Sequence, residues 1–430
     1  MVAALVFSQA LSFWLGWMSP LEGVAERVMQ WTPLNIATFL LLNLQGEARV
    51  AALLGGAAVM LLLAGLAGGF TWRLPGHLAA PLAAVLVGVP TFVLFQPYDW
   101  RPVVLLLAGY GLGLALSDRG WIASKPKRSS SSASTLSRFE ALFDTGIVLA
   151  GMGLLIGIGF GLPGLLAPAG RRLFSFRDPA LPDFSYPGMP TPVTPLDSFY
   201  VNSKDLLPPS PRGWNLTIEG LVRRPLRFDL DTLRRLPRDD RYVTLECIDN
   251  PVGGPLIGNA LWTGVELRRL LHLAGVTNEG RAVMLTGLDG YVESLSLAAA
   301  GSPDVLVAYG MNGWELTPDH GYPIRLLVPG VYGLKSVKWL SRITVASTEE
   351  MGMWQQRGWS QPAVVQTTTR IDVHRIVAGG VWLGGIAFAG NRGVSGVQVR
   401  VNGGKWRPAR MSPTLSSPAA WRLWEIQVPV

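Results

Sequence analysis

Apolar positions divide the chain into two regimes. Before residue 170 they form long, nearly uncharged runs at about 2–18, 49–70, 78–96, 102–117 and 142–168. Each is near or somewhat short of the ~20 residues that carry a helix across a bilayer, so the pattern predicts about five membrane spans. The first run is short enough to be the core of a signal peptide. Trp14, Trp17 and the lack of a small-residue cleavage site argue for a span instead. After residue 170 the runs shorten. Trp214, Leu216 and Ile218 alternate on one face, and Tyr242 to Cys247 reads as a second strand. Leu267, Leu270 and Leu271 mark a helix, with Thr263 and Glu266 read as its capping box and Gly275 as its stop. Beyond about residue 375, Val397, Val399 and Val401 alternate with Gln398, Arg400 and Asn402 before an Asn402-Gly403 turn, a β-sandwich signature. Mixed strands and helices followed by strands alone make the part after the spans α+β.

Composition supports this division. With 49% hydrophobic and 15% charged residues, the 430-residue chain is too apolar for an ordinary soluble enzyme and too long for one ordinary domain. The net charge of +8 is spread out, apart from Lys125-Pro-Lys127-Arg128, so no nucleic-acid surface is expected. Arg119, Lys125, Lys127, Arg128 and Arg138 make the loop between the fourth and fifth runs the densest positive cluster near the membrane. That loop is expected in the cytoplasm, which places everything after Gly170 on the far side. The serine run 129–134 is a flexible linker within it. Proline recurs through 178–198, as in an extended connector and not a packed element.

The single cysteine, Cys247, excludes an internal disulfide, a C-x-x-C-H haem attachment and a cysteine-ligated iron–sulfur cluster within the chain. Only His77 lies among the apolar runs, so paired histidines for a haem between helices are missing. Cys247 shares a strand face with Val243 and Leu245 and sits where the strand meets a Pro- and Gly-rich loop, with Asp249 and Asn250 directly after it. A lone thiol is ordinarily a buried, inert side chain. Its surroundings change that reading.

Those surroundings are an ordered series: Phe199-Tyr-Val-Asn202, Thr244-Leu-Glu-Cys247, Leu261-Trp-Thr-Gly-Val265, Gly287-Leu-Asp-Gly-Tyr291, Met311-Asn-Gly313, Asp319-His-Gly-Tyr-Pro-Ile-Arg325, Val328-Pro-Gly330 and Ser336-Val-Lys-Trp-Leu340. Across nearly all of 199–430 the series resembles the sulfite-oxidase-like family of molybdopterin-dependent oxidoreductases. The resemblance implies a molybdopterin domain followed by an immunoglobulin-like β-sandwich, and Cys247 as the protein ligand to molybdenum. A thiolate is a soft donor suited to a metal that changes oxidation state. The resemblance further implies that His320, Arg325 and Lys338 grip the pterin, with Ser336 and Val337 contributing backbone. Phe199, Tyr200, Asn202 and Asp289 would line the site, and Tyr291 would be a catalytic hydrogen-bonding and proton-handling group. Arg325 is the most telling from its own context, because a charge beside the apolar run of Ile324, Leu326, Leu327 and Val328 needs a partner.

Two departures bear on the substrate. Sulfite-oxidising members carry an Arg-Asn-His run where this chain has Asn202-Ser203-Lys204, and a second arginine where it has Val252. A dianion needs such cations, and Lys204 is only a flexible point charge. The segment from Trp421 to Val430 resembles a region well before the family's C-terminus, so the sandwich is expected to be short of strands, and the family's dimer interface is not carried over. The division expected is a transmembrane anchor at 1–168, a connector at 169–198, a catalytic domain at 199–365 and a β domain at 366–430. The expected activity is oxygen-atom transfer on a small-molecule substrate: S- or N-oxide reduction, or sulfite dehydrogenation. Electrons would pass through a separate carrier, a cytochrome or quinone-linked subunit. The other reading is a membrane-tethered binding or assembly module of the same fold without catalysis.

Overall fold

The computed structural model describes residues 170–184, 187–203 and 208–429, all within one compact unit. The five apolar runs expected to cross a membrane, and Lys204, lie outside the described residues. Among the described residues no helix is long and apolar enough to span a bilayer.

In chain order the elements begin with β1 (Leu216–Gly220), β2 (Leu226–Phe228), α1 (Leu230–Arg234), β3 (Asp239–Glu246), β4 (Ile257–Glu266), α2 (Leu267–Ala274), β5 (Ala282–Gly287) and β6 (Val292–Ser296). There follow α3 (Leu297–Ala300), β7 (Leu306–Met311), β8 (Trp314–Glu315), β9 (Arg325–Leu327) and β10 (Leu340–Ala346). Two five-stranded sheets result. One runs β2-β1-β10-β5-β6, and the other runs β3-β4-β7-β8 with β9 paired to β7. Leu216 and Ile218 are fully buried, as their alternation predicts, in a core shared with Leu267, Leu270, Val283, Leu285 and Ile343. A second core, around Trp262, Val243 and Leu245, lies beside β3 and β4.

Helix α2 buries Leu267, Leu270 and Leu271 and stops at Gly275, whose φ of 67° is the left-handed conformation that glycine adopts without strain. Its start differs from the expectation. Thr263 is still in β4 and its hydroxyl donates to Asp240 at 2.6 Å, while Glu266 precedes the helix without a side-chain capping bond. The strand continues to the helix's first residue, so Thr263 is extended and cannot fold back to cap.

The described residues of 170–198 hold a short 3-10 turn, Pro182–Phe184, between otherwise irregular stretches, and they are packed along the unit instead of forming a free connector. Val193 and Phe184 are buried. Thr194 N–H donates to Asn259 O at 2.7 Å, and Asn312 Nδ2 donates to Thr194 O at 2.9 Å. Pro192 O accepts from Asn259 Nδ2 at 2.8 Å and from Trp421 Nε1 at 2.9 Å. A proline-rich strand offers carbonyls without matching donors, and buried side-chain amides and indoles supply them.

Further along, β11 (Thr368–Val377), β12 (Gly380–Phe388), β15 (Arg410–Met411) and β16 (Arg422–Val428) form one sheet, ordered β11-β12-β16-β15, and β13 (Gln398–Val399) pairs with β14 (Arg407–Pro408) as a ribbon. Asn402 and Gly403, at φ 51° and 74°, turn the ribbon as the sequence predicts. The described residues after 366 thus give a four-stranded sheet and a ribbon. Their core joins Ile386, Phe388, Trp421 and Leu423 to Phe184 and Ile257. The free edge of β3 is covered by this region: Thr244 N–H donates to Ala419 O, and Trp421 N–H donates to Thr244 Oγ1, both at 2.9 Å.

Candidate functional site

Strand β3 ends at Glu246 and delivers Cys247 into a turn. Cys247 N–H donates to Leu256 O at 2.9 Å, and Asn250 N–H closes back on Cys247 O at 3.0 Å. Asn250 Oδ1 accepts from Leu256 N–H at 2.9 Å, which fixes the return of the loop. Burial pushes the Cys247 thiol up, opposed by hydrogen bonds from the Asp249 backbone and the Asn202 amide. Asn202 Nδ2 lies 3.3 Å from Sγ. This donor favours a thiolate and aims its sulfur.

Asn202 is held by its own segment. The Phe199 ring stacks on Tyr200 at 5.4 Å and meets Trp262 and His320 edge-on at 5.7 and 5.6 Å. Burial, then the nearby Cys247, pushes the Tyr200 hydroxyl up, so it stays protonated. A side chain at Gly333 would run into that hydroxyl, 2.9 Å from where its first carbon would stand.

Arg325 is buried beneath this segment. Its guanidinium lies 5.2 Å over the Trp262 ring, and it donates to His320 O at 3.3 Å and Ser336 O at 3.1 Å. Burial pulls it down to about 10, which leaves it charged at neutral pH. Among the described residues no carboxylate pairs with it, and its Nε is buried without a partner. A buried cation of this kind is costly unless an anion joins it. His320 Nε2 lies 3.1 Å from Leu196 O. Burial, helped by the charges of Arg325 and Lys338, pulls the imidazole down to about 4, so it is neutral at pH 7. Lys338 Nζ donates to Asp319 O at 3.0 Å and to the Ser203 hydroxyl.

The expected residues therefore fall into linked groups: Cys247 with Asn202; Arg325 with His320, Ser336 and the Phe199–Tyr200 pair; and Lys338 with Ser203. Ser336 Oγ accepts from Val328 N–H at 3.2 Å. The Val337 side chain is in the core while its carbonyl accepts from Leu326 N–H at 2.8 Å. Tyr291 and Asp289 share one loop, Tyr291 N–H donating to Asp289 Oδ1 at 3.0 Å. The Tyr291 hydroxyl donates to Leu334 O at 2.9 Å and is thus held by the turn before Ser336. Burial and the Glu293 carboxylate push that hydroxyl up. Glu293 and Lys335, a buried pair beside Tyr291, had no place in the sequence reading. An acid between Val292 and Leu295 in a core strand was the available signal.

The arrangement of a presented thiol, a buried unpaired guanidinium and fixed backbone acceptors fits an anionic cofactor ligated through sulfur. In line with this, residues 205–354 match the oxidoreductase molybdopterin binding domain. The sulfite oxidase of Arabidopsis thaliana is 32% identical over 268 residues, covering 50% of this chain and 68% of that protein. The sulfite oxidase of Gallus gallus is 34% identical over 291 residues, covering 55% of this chain and 63% of that protein. A nitrate reductase [NADH] of Spinacia oleracea is 32% identical over 216 residues, covering 44% of this chain and 23% of that protein. The chain spans about half to two thirds of the length of the sulfite oxidases it matches. It belongs to the sulfite-oxidase-like family of molybdopterin-dependent oxidoreductases, and its cofactor is molybdenum held by molybdopterin.

Proposed function

We propose that this chain is a membrane-anchored oxidoreductase that moves an oxygen atom to or from a small neutral substrate and exchanges electrons with a separate carrier. The observation that carries the proposal is the Arg325 guanidinium, buried without a carboxylate partner, with Tyr200 feeling both its charge and that of Cys247. When bound, the molybdopterin supplies two-electron oxygen-atom exchange with the substrate. Cys247 holds the metal through sulfur, and Asn202 donates to that sulfur and fixes its direction. Arg325 balances the cofactor's negative charge, with His320, Lys338 and the Ser336–Val337 backbone holding its polar edges. Tyr200 and Tyr291, protonated at neutral pH, are donors within the same wall.

Substrate choice follows from missing cations. Val252 is 97% exposed on the loop after Cys247, where an arginine would be needed to hold a dianion, and Asn202 is neutral. The family spans sulfite oxidases and nitrate reductases, so membership does not fix the substrate or the direction of electron flow. An S-oxide or N-oxide needs no such cation to be held, whereas sulfite does. The apolar runs before residue 170 would anchor the chain in the cell membrane with the catalytic part outside the cytoplasm. A cytochrome or a quinone-linked subunit would carry the electrons.

Purified full-length protein is expected to contain molybdenum and to release a fluorescent pterin on denaturation; protein with neither is not this enzyme. Assayed with artificial donors and acceptors, it is expected to reduce S- or N-oxides faster than it oxidises sulfite. Robust sulfite turnover would overturn the substrate reading. A reporter fused after Gly170 that works only in the cytoplasm would overturn the orientation.

A further inference from the structure

Ten residues after Arg325 a second cation is buried. Lys335, 3% exposed, faces the fully buried carboxylate of Glu293, Nζ to Oε1 at 2.8 Å. Lys335 Nζ also donates to Ser294 O at 3.0 Å. Ser294 N–H donates to Glu293 Oε1 at 2.8 Å, and Gln355 Nε2 donates to Glu293 Oε2 at 3.0 Å. Residues 350–355 close over the pair. Glu350 O accepts from the Ser294 hydroxyl, and Met353 N–H donates to Val292 O at 3.0 Å. At position 352 a Cβ would stand 2.3 Å from Glu293 Oε1, so any larger residue would push the carboxylate and its Gln355 clamp out of place.

A buried pair is a poor source of stability, because apolar side chains of similar volume often serve as well or better. Direction is what it adds. Lys335 ends a single 3-10 turn, Gly333–Lys335, and every residue around that turn meets the candidate site. Gly333 lies against the Tyr200 hydroxyl, Leu334 O accepts from Tyr291, and Ser336 O accepts from Arg325. The pair and its clamp fix this main chain from below.

We propose that Glu293 and Lys335, clamped by Gln355, are positioning residues: they hold the Gly333–Ser336 main chain as a rigid floor for the molybdopterin, without touching it. This rests on the cofactor reading above, and one experiment separates the two. Full-length wild type, E293L/K335M and Q355L are compared for molybdenum and pterin per protein, thermal midpoint, the sulfur-to-metal absorption band and amide exchange over residues 333–338. E293L/K335M, which removes both charges together, is expected to melt at or above wild type yet to hold about tenfold less molybdenum, with a shifted absorption band. Q355L is expected to keep its midpoint within a few degrees while residues 333–338 exchange about tenfold faster and molybdenum falls. If the double variant does not fold, Q355L alone decides on the same readings. A full molybdenum load with unchanged exchange in the folded variants overturns the positioning role. Wild type without molybdenum or pterin overturns the cofactor reading itself, and the inference falls with it.

Discussion

Arg325 and Lys335 are two cations buried a short distance apart in one sheet-and-turn unit, and they are completed in opposite ways. Lys335 has a carboxylate at 2.8 Å, Glu293, that is itself fully bonded. Arg325 has two carbonyls and an aromatic face, and its Nε is left over. At one site both charges are paired within the protein. The other is a half-site, a buried charge without a counter-charge, and under the proposal above the anionic cofactor would complete it. A buried charge with its counter-charge points to architecture, while a buried charge without one points to a ligand.

The largest expected effect breaks the comparison at its finished end. Lys335→Met strands the Glu293 carboxylate in the core and is expected to cost about 3–5 kcal/mol of stability in chemical denaturation, with or without cofactor. Arg325→Met removes a charge that the cofactor-free protein never pairs. That variant is expected to unfold at the same or higher denaturant concentration when apo, while its molybdenum content falls about tenfold or more. Apo destabilisation as large as that of Lys335→Met would show that Arg325 is completed within the protein after all.

A third measurement sharpens the contrast through pH. The His320 value is about 4 in the folded chain against an ordinary 6.5. The unfolded chain therefore takes up this proton first as pH falls, and stability declines from about 6.5 toward 4. His320→Gln is expected to flatten that decline in denaturation curves recorded at several pH values. Arg325 is among the charges that depress His320, so Arg325→Met is expected to raise the imidazole's titration by NMR. Smallest is the exposed pair Arg342–Glu219, at 3.5 Å with 59% and 40% side-chain exposure. Arg342→Ala is expected to change stability by no more than about 0.5 kcal/mol, which sets the scale of a pair left in water.

Much of the site was legible because it rests on ordered local motifs. Asn202 entered only through the resemblance of its segment, whereas Cys247 at a strand end and Arg325 in an apolar run each carried a local signal. The same holds for the Leu216 and Ile218 alternation and the Gly275 helix stop. Glu293 and Lys335 were not legible as a pair because their contact joins residues 42 positions apart, and neither position has a local pattern that names the other. Thr263 misled because Thr-x-x-Glu spacing marks a helix start only when the threonine has left the preceding strand. The prolines of 178–198 suggested an extended, unpacked connector, but the segment makes a 3-10 turn at Pro182–Phe184 and packs on the unit, because proline content alone does not tell whether a surface with free amides lies alongside.

The cover on the free edge of β3 has a consequence for the order of events during synthesis. Thr244, three residues before Cys247, completes its hydrogen bonds by donating to Ala419 O and accepting from Trp421 N–H, residues that leave the ribosome about 175 residues later. Until they arrive, the strand that aims Cys247 has an open edge and Pro192 lacks its indole partner. A chain stalled before residue 419 therefore presents the Cys247 thiol on a strand with an unfinished edge.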